Sequence, residues 1–310
     1  MPRPKSVCIA VLNFNGITHL EHLLPSLNDA IEDYGVACAI VVLDNKSTSG
    51  DAEWVARHFP KVDFISAPKN DFLFSYNWLV RRRTEDITLF LNNDLRVDRG
   101  FIRPLIEHFE SPDVFAVSSS SKNWEGTQFS WGPIQLRSHH GWYYWNPDTA
   151  SQRVSHTLFA SGGFMAVDSA KFMAIGGFHT LFHPAYCEDL DLCFRAWRKG
   201  WRTIFEPRSV VFHRENGSWS KVGHNRVAQL CLRHGFFFRW AHLPEAAHLP
   251  ERASYLSRLI VSRLVSGDAS WVAVWAAAVI AWHRLDPDLR GSRLDAAGLQ
   301  DIVGRISAPL

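Results

Sequence analysis

The stretch YCEDLDLCFRAWRKGW, residues 186 to 201, sets three carboxylates inside an apolar run: Glu188, Asp189 and Asp191. Acids at a helix start have two ordinary uses. Solvated, they complement the positive end of the helix dipole; aimed into a cleft, they act as general acids or bases. Spacing separates the three. Leu190, Phe194, Trp197 and Trp201 recur at helical intervals and predict a buried stripe. Asp191 and Arg195 are four apart and pair along the helix. Glu188 and Asp189 precede the regular turns, where a helix start aims them outward.

A second carboxylate of interest ends the run LFLNND. An apolar strand there delivers Asp94 to a sheet edge, where it suits a hard divalent cation such as Mg2+ or Mn2+. The alternative is an Asx turn or helix cap. His213, at the end of VVFH, is a second candidate ligand or a structural histidine. Other strand ends are polar too: Asn13, Phe14 and Asn15 after the first, Asp44, Asn45 and Ser47 after the second, Lys69, Asn70 and Asp71 after the third, Asn92, Asn93 and Asp94 after the fourth. Each alone is turn chemistry. Together they lie where open α/β sheets bind ligands, beyond the carboxyl ends of the strands.

The elements that must position them alternate over the first 120 residues. SVCIAVLNF, ACAIVVLD, VDFISA, ITLFLNND and VFAVSSS read as strands. HLEHLLPSLNDAI, DAEWVARHF, FSYNWLVRRR and RGFIRPLIEHF read as helices. The alternation predicts βαβ units and a largely parallel sheet with helices on both faces. Residues 121 to 157 break the pattern, and the aromatic run from Trp124 to Trp145 suits either a sugar-stacking surface or a satellite core. A strand over Phe164–Val167, a short helix and a Gly-Gly stop precede the acid helix; WRTIFEPRSVVFH then reads as two short strands around Pro207. Beyond Ser220 the chain reads as helical.

The composition is globular, with 46% hydrophobic and 21% charged residues. A net charge of +2 excludes a broadly nucleic-acid-coating surface. From Ser220 onward, 11 Lys/Arg stand against 7 Asp/Glu, which fits a basic helical domain in water or one resting on an anionic membrane. Five cysteines without a CxxC pair point to reduced, buried thiols and a cytoplasmic setting. The N-terminal apolar run is too short for a signal peptide. WVAVWAAAVIAW, 271 to 282, is too short to span a bilayer between Asp268 and Arg284, and reads as a buried or interfacial helix.

In order, NFNG, VVLDNKS, LFLNND, SGGFMAVDSAKFMAIGGF, CEDLDLCFRAWRKGW and VVFHRENGS resemble the family 2 glycosyltransferases of the A-type fold, in particular rhamnosyltransferase-like bacterial members. The resemblance covers residues 6 to about 220. It implies a Rossmann-like mixed α/β sheet flanked by helices (the GT-A fold), with a catalytic domain over 1–220 and a helical C-terminal region over 221–310. It also implies an inverting transferase that takes a sugar from a nucleotide-diphosphate donor to a saccharide or lipid-linked acceptor, in cell-surface glycan synthesis. Asn13, Phe14 and Asn15 would line the base pocket and Asp44 would contact base or ribose. Asn70, Asn77 and Asn93 would lie beside the donor, and Asp94 and His213 would hold a Mg2+ or Mn2+ ion. Glu188 would contact the acceptor and Asp189 would be the base. No nucleic-acid partner is implied; the C-terminal helices are expected to pack, dimerise or rest on the inner face of the plasma membrane.

Two departures stand out. Asn92 replaces the usual first carboxylate of the metal motif, and NDFLFSYN lacks the glycines of the family's N-x-G-x-x-x-G-N, with Asp71 and Ser75 at or near their places. Two rival functions remain: a nucleotide-sugar-binding protein without catalysis, and a sugar nucleotidyltransferase. The second wants a glycine-rich basic loop after the first strand, and NFNGITHLEH has one glycine and no Lys or Arg.

Overall fold

The computed structural model describes residues 5–139, 142–214, 224–244, 257–258, 260–262, 264–266, 269–283 and 293–310. Asp268, Arg284 and residues 215–223 and 251–256, part of the region expected to be helical, lie outside them. The chain divides into two compact units, one of Met1–Ile134, Pro147–Gly217 and Pro309–Leu310, the other of Gln135–Asn146 and Ser218–Ala308.

The first unit is built on β1 (Val7–Asn13), β2 (Ala39–Asp44), β3 (Asp63–Ser66), β4 (Ile87–Asn92), β5 (Leu95–Val97), β6 (Val114–Asn123) and β7 (Phe129–Trp131). Three later strands, β10 (Ser155–His156), β11 (Phe164–Asp168) and β12 (Arg202–His213), complete the sheet. Its order is β10-β12-β6-β11-β4-β1-β2-β3. Strands β4, β1, β2 and β3 run parallel, β6 and β12 run parallel, and β11 lies antiparallel between the two groups. This is the mixed α/β sheet expected from the sequence. β1 and β2 are apolar almost throughout because both faces of the sheet are covered. α1 (Ile17–Tyr34) buries Leu20, Leu23, Leu24, Leu27 and Ala30, runs through the exposed Pro25, and ends at Gly35, left-handed with φ of 73°.

Three elements differ from expectation. The segment around Pro207 is one strand, β12, whose register shifts between Glu206 and Val210; the bulge takes the proline, which has no N–H, out of the ladder. β5 was not expected: it is three residues long and follows the turn at Asn93 directly. It pairs antiparallel with β12, His213 opposite Leu95, which brings the end of β12 beside that turn. Finally, the acid helix α6 (Glu188–Arg198) is enclosed on most sides, since Leu192, Cys193 and Ala196 are buried along with Leu190, Phe194 and Trp197. Trp201 lies beyond its end, past the left-handed Gly200, and stacks against Phe115.

The second unit joins a hairpin of β8 (Arg137–His139) and β9 (Trp142–Tyr144) to α7 (His224–His242), α8 (Ala269–His283) and α9 (Ala296–Ser307). Trp142 and Trp145 meet Phe236 and Phe238 edge to face, and Arg239 lies over both indoles. Trp271 and Trp282 of α8 are buried against Phe236, Phe237 and Trp240. This half of the aromatic run is therefore a satellite core, and α8 is a packed helix. No helix among the described residues is long and apolar enough to cross a membrane.

Candidate active site

The carboxyl ends of β1, β2 and β4 meet in one polar network. Asn13 is buried at its centre. Its amide nitrogen donates to Asp51 at 2.7 Å, to Asp44 at 3.2 Å and to Ser47 at 3.3 Å. Its oxygen accepts from Asn93 at 2.8 Å. The Gly16 N–H donates to the same Asp51 oxygen, and Ser47 donates its hydroxyl and its N–H to Asp44. Burial opposes the charge of Asp51, but hydrogen bonds from Asn13, Ser49 and Gly16 outweigh it and hold that carboxyl below its usual range. Gly16 fits because it has no side chain: a Cβ there would sit 2.0 Å from the Asn93 amide nitrogen. Asn15 and Phe14 stand exposed above this layer, Asn15 in a left-handed conformation with its oxygen bound by the Thr48 N–H.

The third strand end supplies a loop. Asn70 is exposed and accepts weakly from the Phe72 N–H at 3.4 Å. Phe72, rather than Asp71 or Ser75, takes the left-handed backbone (φ 52°) that a glycine ordinarily provides. Asn45 caps it by donating to its carbonyl, and Ser75 donates to Asn45. Asn77 faces elsewhere: its amide exchanges two hydrogen bonds with the backbone of Phe178, at 2.7 and 2.8 Å.

Asp94 and His213 are brought together, Oδ2 and Nε2 lying 3.5 Å apart. The other Asp94 oxygen is buried and has no hydrogen-bond partner among the described residues. Such an orphaned acceptor is costly without a cation or donor, and a carboxylate suits Mn2+ or Mg2+. These residues fit a divalent ion, although no group of three or more His, Cys, Asp or Glu side chains gathers among the described residues. Arg96 lies over Phe212, and Arg214 over Trp124, so two guanidinium groups stand on the strands and turn next to this pair.

The acids sit across a glycine pair. Asp189 accepts from the Gly162 N–H at 3.1 Å and from the Leu190 N–H at 2.8 Å. A Cβ on Gly163 would come 2.7 Å from the Asn92 amide nitrogen at the end of β4. Gly162 and Gly163 thus let the acid helix and the strand leading to Asp94 close on one another. Sequence reasoning missed both as site residues, along with Asp51; the signals were the GG after Ser161 and the acid opening the helix after the second strand. Tyr186 and Cys187, both left-handed, turn the chain into α6. Burial pushes the Asp189 carboxyl up to about 6. Glu188 is pushed well above its usual value, by burial first and then by the Asp189 charge, and its Oε2 is buried without a partner among the described residues. Two adjacent carboxyls with displaced titrations suit acid–base work. Asp191 is a support: it is buried and paired with Arg195, which also donates to the carbonyls of Ile175 and Gly177.

The model of glycosyl transferase family 2 matches residues 6–176, more than half of the chain. The chain belongs to glycosyltransferase family 2. It is 26% identical over 211 residues to a pre-mycofactocin glycosyltransferase of Mycobacterium tuberculosis, a match covering 65% of this chain and 40% of that protein. It is 22% identical over 259 residues to the N-acetylglucosaminyl-diphospho-decaprenol L-rhamnosyltransferase of the same organism, covering 73% of this chain and 80% of that one. Among solved structures it is similar to a mannosyltransferase from Pyrobaculum calidifontis in complex with GDP-Man and Mn2+. The TM-score is 0.55 at 18% identity, over 96% of this chain and 79% of that chain, a likeness of fold.

Proposed function

We propose that this family 2 glycosyltransferase moves a sugar from a nucleotide-diphosphate donor to an acceptor hydroxyl, with inversion. The observation that carries the reading is the pair of glycines that seats Asp189 against the strand end leading to Asp94 and His213. In the reaction, the acceptor oxygen attacks the anomeric carbon while the bond to the diphosphate breaks. The hydroxyl proton passes to Asp189 and the electron pair leaves on the diphosphate. One base suffices for inversion, with no covalent intermediate.

The Gly162 and Leu190 N–H groups hold Asp189 in place, and Glu188, its carboxyl pushed well above the usual range by burial and by the Asp189 charge, borders the acceptor. Phe14 and Asn15 present the exposed surface for the nucleobase, with Asp44 at the ribose. Asn13 and Asn93, buried in the network, act as positioning residues for that wall; Asn70 borders the donor and Asn77 braces the loop through Phe178. Asp94 and His213 would hold a divalent cation, which when bound neutralises charge on the leaving diphosphate. Arg96 and Arg214 add positive charge nearby.

The rhamnosyltransferase relative favours a rhamnosyl donor and a lipid-linked acceptor in glycan synthesis. Val261, Leu264 and Val265 are more than half exposed, and the chain beyond Ser220 is basic, which supports cytoplasmic action at an anionic membrane surface. Flotation of the full chain with anionic vesicles, against a variant with serine at those three positions, tests this. For the donor and cation, thermal shift with UDP, GDP and dTDP, each with and without Mn2+, is decisive: Asp94→Asn should abolish the Mn2+-dependent part of the shift. A shift that keeps its full Mn2+ dependence in that variant removes Asp94 from the cation site.

A further inference from the structure

We infer that Asp71 and His183 form a positioning pair that ties the donor-side loop to the turn carrying Asp189. The inference rests on the proposed reading of Asp189 as base. His183 Nε2 lies 3.1 Å from Asp71 Oδ1, and the His183 ring packs against Phe72 and Phe74 at 5.9 and 5.4 Å. Lys69 reaches the same Asp71 oxygen at 3.0 Å, but its side chain is 73% exposed, against 44% for His183.

Both segments that the pair joins hold strained backbone. On the donor side it is Phe72, at φ 52°; on the acid side it is Tyr186 and Cys187, at 74° and 67°. Non-glycine residues persist in this region only where their surroundings over-determine them. Asn45 holds Phe72 from β2. The opposite anchor is His183. A second contact lies beneath it: a Cβ on Gly162 would meet Leu73 at 2.5 Å, and Gly162 is the residue whose N–H binds Asp189. The loop over 69–74 therefore touches the acid segment at both His183 and Gly162. A carboxylate placed about 1 Å wrong costs on the order of 10²-fold in rate. A tie between the donor floor and the base sets that distance without touching substrate, and it stands where this chain has Asp71 and Phe72 in the segment that the family pattern supplies with glycine.

The test uses the full chain with Asp71→Ala, His183→Ala, the double variant and His183→Gln. Hydrogen–deuterium exchange needs no substrate. Asp71→Ala should raise exchange across 185–190, and His183→Ala across 70–74, with the melting midpoint unchanged and the double variant no worse than either single one. Nucleoside diphosphate release, with whichever of the UDP-, GDP- and dTDP-sugars turns over, should show kcat about tenfold lower at unchanged KM. His183→Gln should recover most of the rate. Exchange that changes only on the mutated side, additive losses in the double variant, or a loss carried by KM would overturn the tie. Coupled exchange in a wild-type chain that releases no nucleoside diphosphate would instead overturn the reading of Asp189 and leave the tie standing.

Discussion

To serve as the proposed base Asp189 must be ionised, and burial holds its carboxyl at about 6. The transfer rate should therefore fall as pH drops through about 6 and level off above it. A pH profile of kcat/KM on the free enzyme checks this; a limb at the ordinary carboxylate value would mean that Asp189 is solvated. Gly163 tests the site's geometry, because a methyl there meets Asn92 at 2.7 Å and the chain must shift. Gly163→Ala should lower kcat more than tenfold, measured with nucleotide binding by thermal shift as the control. The acids and Asp94 were legible in the sequence because apolar runs end on them. Gly162, Gly163 and Asp51 were not, since their value lies in what a Cβ would strike or which N–H they meet across 27 to 38 residues of chain.

The helix carrying the acids is held at its middle. Arg195 joins Asp191 at 2.8 Å to the carbonyls of Ile175 and Gly177, so it locks α6 to the preceding Gly-Gly turn. Arg195→Met removes the guanidinium bonded to the buried Asp191 and should cost about 3–5 kcal/mol, read by denaturant unfolding. A cost under about 1 kcal/mol would reduce the pair to a solvated i,i+4 contact. The 3.6-residue spacing located the helix but understated its enclosure: Leu192, Cys193 and Ala196 are buried too, under cover that no local pattern announces. The same limit hid β5 and the continuity of β12. Three residues carry no period, and Pro207 reads as a break until the bulge is seen that accommodates it.

At the scale of the whole molecule, alternating strands and helices fixed the class of sheet, and its parallel strand ends placed the candidate site at one edge. The aromatic run from Trp124 to Trp145 was ambiguous because large rings serve sugar stacking and cores alike; only tertiary packing shows Trp142 and Trp145 inside the second unit. In the proposed reaction the chain transfers sugar with Asp189 as base. The decisive comparison is nucleoside diphosphate release from UDP-, GDP- and dTDP-sugars with Mn2+ and a saccharide–diphospholipid acceptor, wild type against Asp189→Asn at a pH well above 6. Wild type should release from one donor class, and the variant should lose about 10²–10⁴-fold with nucleotide binding intact. Release that survives Asp189→Asn would contradict that role of Asp189.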